Sequence, residues 1–117
     1  MTRHVTLAPE ELEFLQIVGY VLMSFRKWEK AALIYDLLQN LMPEDIKVAK
    51  ARALIAINME RYERALEIAD IILEKSSSML DHKDALIIKT RAFWALGQRE
   101  KARECFSKAI SLKEKAH

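Results

Sequence analysis

A segment repeated three times is the feature that most constrains the fold of this chain. Each copy has a Glu, a basic residue and an alanine in succession, and the alanines are Ala31, Ala65 and Ala102. The second alanine follows the first by 34 residues and the third follows by 37, with the serine run 76–78 supplying the extra length. Only 2 Gly and 2 Pro occur in 117 residues, too few for the turns of a β-sandwich or barrel. The chain is therefore predicted to be all-α and to form a single domain, 1–117.

The repeated segment resembles the tetratricopeptide (TPR) repeat, a helix–turn–helix unit with a 34-residue period. The three alanines occupy the small position of each second helix, where a methyl group lets two helices approach closely. Gly19, Ala53 and Thr90 occupy the small position of each first helix. Tyr35 and Phe106, one turn after the alanine, are expected to fill the gap between consecutive pairs. The resemblance implies three tandem repeats in a short right-handed α-solenoid, at about 12–45, 46–79 and 83–116.

Helix boundaries follow from the capping signals and the period of the apolar residues. Pro9 falls in the first turn of the first helix, which is predicted to end near Phe25. Asp81 or Ser78 is expected to cap the fifth helix, and Gly97 marks the turn that follows it. The remaining helices are predicted at 28–41, 44–59, 62–75, 81–96 and 99–115.

Charge and cysteine content restrict the classes of function. The net charge is +2, from 19 basic and 17 acidic residues, so no electrostatic excess points to nucleic acid or anionic lipid. No apolar run reaches the roughly 18 residues that a membrane span needs. The single cysteine cannot form an internal disulfide, and no secretory signal precedes the first polar residues. A cytoplasmic protein is therefore expected.

Side chains with catalytic or metal-binding chemistry are few and scattered. The three histidines are predicted to lie in solvent, and Cys105 is predicted to pack as a buried thiol. Carboxylates are expected to pair with basic residues three or four positions away, as Glu60 with Arg64. A small basic cluster is expected to be an exposed helix start. We therefore predict no enzymatic activity, no metal, no cofactor and no nucleic-acid partner. The histidines are His4, His82 and His117, and the basic cluster is Lys47, Lys50 and Arg52.

The first helix has more apolar residues than three helical hairpins can bury. These residues surround the helix, whereas packing against its neighbours uses about half of the circumference. Its outer side is therefore predicted to be covered by a partner, by a second copy of the chain, or locally by residues 1–8. The last helix, in contrast, is predicted to keep its apolar residues in one stripe and to cap itself. The apolar residues are Leu12, Phe14, Leu15, Ile17, Val18, Tyr20, Val21, Leu22, Met23 and Phe25 in the first helix, and Ala102, Cys105, Phe106, Ala109, Ile110 and Leu112 in the last.

The TPR resemblance also implies an inner groove, which is lined by the first helix of each pair. Six of the nine residues at the groove positions are apolar or aromatic, and Tyr and Trp are enriched at binding hot spots. A partner helix or an extended segment with an apolar face is the expected occupant. The nine predicted partner-binding residues are Gln16, Tyr20, Met23, Lys50, Leu54, Ile57, Ile87, Arg91 and Trp94.

Over most of residues 6–113 the chain resembles the small Y-class chaperones (SctY or YscY family) of bacterial type III secretion. The features that carry the resemblance are a short polar start, a helix that opens into an acidic and aromatic segment, and a leucine-rich stretch ending at a proline. The acidic and aromatic segment is Glu13-Phe14-Leu15, and the leucine-rich stretch is residues 37–41 before Pro43-Glu44. An aromatic near Gly19-Tyr20 and a last helix with Lys101-Ala102-Arg103 are further shared features.

The resemblance implies a cytoplasmic chaperone that binds an early export substrate of the X class (SctX/YscX-like) and keeps it soluble. It also implies delivery of that substrate to the export-gate protein at the inner membrane. Our hypothesis is that six groove residues contact the substrate, and that the outer side of the first helix adds contact area or pairs with a second copy. The alternatives are a needle-subunit co-chaperone and a generic TPR adaptor that depends on Lys50 and Arg91. The six residues are Tyr20, Met23, Leu54, Ile57, Ile87 and Trp94.

Overall fold

The computed structural model describes residues 7–115, with side chains described up to residue 112. This part of the chain contains six α-helices and no β-strand, which confirms the all-α prediction for it. Every helix end lies within two residues of its predicted position. No helix of the described part is long and apolar enough to cross a bilayer. The helices are α1 (Pro9–Ser24), α2 (Trp28–Leu41), α3 (Ile46–Asn58), α4 (Tyr62–Lys75), α5 (Met79–Ala95) and α6 (Arg99–Lys115).

Side-chain caps fix the starts of the first helices in the second and third pairs. The carboxylate of Asp45 accepts a hydrogen bond from the backbone N of Val48 at 3.1 Å and begins α3. The hydroxyl of Ser78 accepts one from the backbone N of Asp81 at 3.3 Å and begins α5. Of the two predicted caps for α5, Ser78 is therefore the one used, and the helix begins at Met79.

The three turns within the helical pairs share one backbone geometry. Each contains one residue with positive φ, namely Arg26 at 57°, Glu60 at 60° and Gly97 at 79°. In the first turn the backbone N of Lys27 then donates to the carbonyl of Leu22 at 2.8 Å, and the same bond recurs in the other two turns. The positive-φ residues are spaced by 34 and 37 residues, as the alanines are. Gly97 was expected at such a turn, whereas two non-glycine residues give no such signal.

Consecutive helices pack against one another, and α3 also packs against α5. The principal neighbour of α1 is α2. The repeated alanines lie at these contacts, where Ala31 and Ala65 are 0% exposed and Ala102 is 1% exposed. The position predicted to be small in α1 is equally close, because a Cβ added to Gly19 would lie 2.9 Å from Cε2 of Tyr35. Small residues therefore set the spacing between the helices.

The two aromatic residues predicted to fill gaps between pairs have different environments. Tyr35 is buried, as expected, in a cluster with Leu38 and Val48, and burial raises the pKa of its hydroxyl. Phe106 is 52% exposed, so that prediction was wrong. The reason is that Phe106 lies on α6, which has no following pair to pack against within residues 7–115.

Ion pairs connect different helices rather than following one helix. Within the part of the chain with described side chains, no ion pair joins residues three or four positions apart, so the predicted pairing of Glu60 with Arg64 is wrong. Basic residues of α3, α4 and α5 instead reach acidic residues on a neighbouring helix or loop. The pairs are Lys50 with Asp81 and Asp84, Arg52 with Asp36, Lys75 with Glu44, and Lys89 with Asp70.

Candidate functional site

A groove of about 330 Å³ runs between α3 and α5. Four of the nine predicted partner-binding residues line it: Lys50, Leu54, Ile87 and Arg91. Leu54 is half-buried and Ile87 is 39% exposed, so two aliphatic side chains from different helices face each other across the groove. We call this cavity the central groove.

A second cavity of about 390 Å³ adjoins the central groove near the end of α5. Arg91 lines both cavities, and Trp94, with 49% of its surface exposed, lines the second one. The guanidinium of Arg99 lies 4.5 Å from the ring centroid of Trp94, close enough for a cation–π interaction. Ile57 also borders this cavity, but it is only 6% exposed and packs in the core with Ala53 and Ile88. Ile57 is therefore chiefly a core residue.

The three predicted residues on α1 do not line either cavity. Tyr20 is 68% exposed, whereas Met23 is half-buried in the cluster that joins α1 to α2 and α3. Gln16 is half-buried, and its Nε2 donates to Sδ of Met42 at 3.7 Å. The two cavities are therefore lined by residues of α3, α4 and α5, and the predicted α1 residues lie outside them.

Charges at the mouth of the central groove are largely compensated. The Nζ of Lys50 contacts the carboxylate of Asp81 and lies 2.8 Å from Oδ2 of Asp84. Hydrogen bonds from Lys50 and Ser76 hold the pKa of Asp81 below its usual value. Burial alone would lower the pKa of Lys50, but the two aspartates outweigh it and the pKa is raised. Lys50 is therefore a charged side chain engaged by α5 rather than an open site for a peptide carboxylate.

The basic cluster predicted at the start of α3 is separated by these contacts. Lys50 faces α5, and Arg52 donates from Nε to Oδ1 of Asp36 on α2 at 3.2 Å. Lys47 alone is exposed. The three side chains thus do not form one open basic patch.

The outer side of α1 is exposed and apolar, as the sequence predicts. We call Phe14, Ile17, Val18, Val21 and Phe25 the leading face. Phe14 is 64% exposed and Phe25 is 74% exposed, and in this set only Val18 is half-buried. Phe14 also borders a cavity of about 460 Å³ with Leu7 and Leu37. Leu7 covers part of this end, while residues 1–6, which belong to the predicted local cover, lie outside the described residues.

The outer side of α6 differs in part from its prediction. Ala102, Cys105 and Ala109 are buried, as expected for one packed stripe. Phe106 and Ile110 are 52% and 42% exposed, so α6 does not cap itself completely. In the described part, α6 makes substantial contact only with α5, which leaves both residues exposed.

The cysteine and the described histidine, which are the residue types suited to catalysis or metal binding, have structural roles. Cys105 is buried, as predicted, and burial raises the pKa of its thiol. His82 was expected in solvent, but its Nε2 lies 2.5 Å from the carbonyl oxygen of Ser76 and the ring is half-buried. Within the described residues no group of three His, Cys, Asp or Glu side chains could hold a metal ion. His4 and His117 lie outside the described residues.

Within residues 7–115 these features define a small all-helical protein with an apolar central groove between α3 and α5 and an apolar leading face on α1. No family model matches the chain. The chain is similar to the chaperone protein YscY of Yersinia enterocolitica and to that of Yersinia pestis. It is 27% identical to each over 116 residues, and the match covers 95% of this chain and 95% of each relative. The resemblance to the YscY (SctY) family that the sequence predicts is confirmed by these full-length matches.

Proposed function

We propose that this protein is a cytoplasmic chaperone of a type III secretion system. In this proposal it binds a small, early secreted substrate of the SctX/YscX-like class, keeps it soluble and delivers it to the export-gate protein at the inner membrane. Two observations support it. The chain is similar over nearly its whole length to proteins named as chaperones. The central groove also offers Leu54 and Ile87 to an apolar segment, with Trp94 beside it.

The physical reason is the state of an export substrate. A chain that must remain partly unfolded has apolar segments that a folded protein would bury, and these need a host surface. A groove between two helices receives the apolar side of a helix or extended segment, and an exposed tryptophan provides a large anchor. The observation that carries the proposal is that Leu54, Ile87 and Trp94 line two cavities that share Arg91.

We also propose that the chain is a single domain of three tandem TPR repeats, near 12–45, 46–79 and 83–116. The shared geometry of the three turns, spaced by 34 and 37 residues, supports this arrangement. The packing of α3 against α5 agrees with it, since first helices of consecutive pairs are neighbours in such an array.

The generic adaptor has less support than the chaperone. An adaptor that clamps a peptide carboxylate was expected to use Lys50 and Arg91. Lys50 already contacts two aspartates, so a peptide carboxylate would have to displace them. Loss of these contacts would leave half-buried charges without partners, which is unfavourable.

Co-expression with the X-class protein encoded in the same genome tests the proposal. We expect a 1:1 complex by size-exclusion chromatography with light scattering. Ile87→Glu and Trp94→Glu should each weaken the complex by roughly 30-fold or more, because each places a charge in an apolar contact. Tyr20→Glu measures whether α1 contributes to the same interface.

Matched controls come from α6. Ile110 and Phe106 are 42% and 52% exposed, close to Ile87 at 39% and Trp94 at 49%, and they lie outside both cavities. Ile110→Glu and Phe106→Glu should bind as the unsubstituted chain does. Groove variants that keep full helicity and full affinity would contradict the proposal. Retention of the needle subunit instead of the X-class protein would assign the co-chaperone role.

A further inference from the structure

The leading face has a pattern that reads the same from both ends. Phe14, Val18, Val21 and Phe25 follow one another at intervals of four, three and four residues. Residues at these intervals share one side of an α-helix. Phe25 directly follows α1, and its backbone N still donates to the carbonyl of Val21 at 3.0 Å, as in the helix. The midpoint of the pattern falls between Gly19 and the next residue, so a two-fold axis there would exchange Phe14 with Phe25 and Val18 with Val21.

Exposed charges of opposite sign flank the two ends of this pattern. The start of α1 is acidic, with Glu10, Glu11 and Glu13, and the segment after it is basic, with Arg26 and Lys27. All five side chains are exposed. The same two-fold axis brings Glu13 of one chain opposite Arg26 of another, twice in each pair of chains. A parallel arrangement would instead place like charges together, which is unfavourable.

We propose that the leading face binds a second copy of this chain, with the two α1 helices antiparallel around a two-fold axis. Such an interface is self-complementary, because both copies use the same patch. Every contact between two residues of different copies therefore occurs twice. An unrelated partner would not require a symmetric pattern of apolar residues and charges. The inference does not depend on the proposed function, since the central groove lies on α3 and α5.

The exposed area agrees with what a stable dimer needs. Phe14, Ile17, Val21 and Phe25 are between 43% and 74% exposed. A whole aromatic side chain offers about 150–250 Å², so the exposed parts of Phe14 and Phe25 provide roughly 280 Å². The exposed parts of Ile17 and Val21 bring the apolar surface to on the order of 450 Å². A standard interface takes about 800 Å² from each partner, of which about 65% is apolar in homodimers. The leading face supplies about that apolar share, and the flanking charges can supply the rim.

Sedimentation equilibrium of the full chain alone tests this inference. We expect a dimer at micromolar concentration, and Phe14→Glu or Phe25→Glu should weaken it by roughly 30-fold or more. Phe106→Glu is the matched control, because Phe106 is 52% exposed but lies on α6. This variant should leave the dimer unchanged.

Charge reversal tests the antiparallel register. Glu13→Arg and Arg26→Glu, each alone, should weaken the dimer about three- to tenfold, because each introduces two like-charge contacts. The double variant should recover most of this loss. Glu13 and Arg26 are separated by most of α1, which spans about 16 Å from Glu13 to Ser24 at 1.5 Å per residue, so recovery can arise only between two chains.

Three outcomes would overturn the inference. The first is a chain that stays monomeric at all concentrations, and the second is a dimer that survives Phe14→Glu and Phe25→Glu. The third is a double charge variant that associates no better than the single variants. If the chain alone is monomeric and Phe14→Glu removes the X-class protein, the leading face belongs to the substrate. Loss of substrate binding through Ile87→Glu, by contrast, concerns only the central groove.

Discussion

Helices α1 and α6 stand at the two ends of the row of helices, and each packs principally against one neighbour. Their outer sides differ. Most outward positions of α6 are polar or charged, and its large exposed apolar residues in the described part are Phe106 and Ile110. On α1 four large apolar residues are more than 40% exposed, and Phe25, directly after the helix, is a fifth. An end helix can remain in water when its outer side is mostly polar, whereas α1 offers an apolar surface of the size of an interface.

The middle of the molecule differs from both ends. The ion pairs link α2 to α3, the loop before α3 to α4, α4 to α5, and α3 to α5. Within the residues whose side chains are described, none of these pairs includes α1 or α6. The two end helices are therefore held chiefly by apolar packing and close approach, to which α1 adds the Gln16–Met42 hydrogen bond and α6 the Arg99–Trp94 contact.

The largest effect is expected from the cluster that holds the first pair to the rest of the chain. Leu38 is 0% exposed and packs with Tyr35, Val48 and Ile55. Leu38→Ala should lower the free energy of unfolding by about 2–5 kcal/mol, because it leaves a cavity in this cluster. Urea unfolding followed by circular dichroism measures the change.

Leu33→Ala provides the control for this prediction on the same helix. Leu33 is 71% exposed, so its truncation should change the free energy of unfolding by less than about 0.5 kcal/mol. Equal losses of unfolding free energy in the two variants would contradict the prediction. They would show that the buried side of α2 contributes no more to stability than its exposed side.

A smaller effect is expected from the close approach of α1 to α2. The Cβ of Gly19→Val would lie about 2.9 Å from the ring of Tyr35, which is buried and has little room to move. We expect a loss of about 1–3 kcal/mol in the free energy of unfolding from overpacking. Ser107→Val on the exposed side of α6 should be nearly neutral. Thermal and urea unfolding measure both variants. Equal unfolding free energies for Gly19→Val and Ser107→Val would show that the close approach of Gly19 to Tyr35 does not hold α1 in place.

The smallest effect concerns the turns of the first and last pairs. Gly97 has a φ of 79°, so Gly97→Ala should cost about 1 kcal/mol of unfolding free energy. Arg26 has a φ of 57° with a side chain present, so Arg26→Gly should gain about 0.5–1 kcal/mol. Both changes should be measured in the Phe14→Glu background, where association through the leading face is weakened. A loss on Arg26→Gly would indicate that the two turns are not equivalent.

Much of the fold could be predicted from the sequence because its signals are local. The repeated alanines and the apolar period place six helices within two residues of their observed ends. The turn geometry was predictable only at Gly97, since Arg26 and Glu60 adopt positive φ without the residue type that favours it. In these two turns, the packing of the flanking helices imposes the conformation that the residue itself disfavours.

The candidate site was predicted only in part because its residues come from different helices. Lys50, Leu54, Ile87 and Arg91 meet in the central groove, as the repeat spacing suggested. The α1 residues do not reach it, and Ile57 turns into the core. Sequence spacing gives the side of a helix on which a residue lies, but the position of each neighbouring helix decides which part of that side remains open.

By itself, the sequence determined the helices, the small residues at their contacts and the apolar excess of α1, because these depend on intervals of three and four residues. Tertiary structure alone decided which charges are compensated. Lys50 and Asp84 are 34 residues apart, and Arg52 and Asp36 are 16 apart, so these pairs exist only after the helices pack. Whether an exposed side chain is available to a partner therefore depends on contacts that no local pattern encodes.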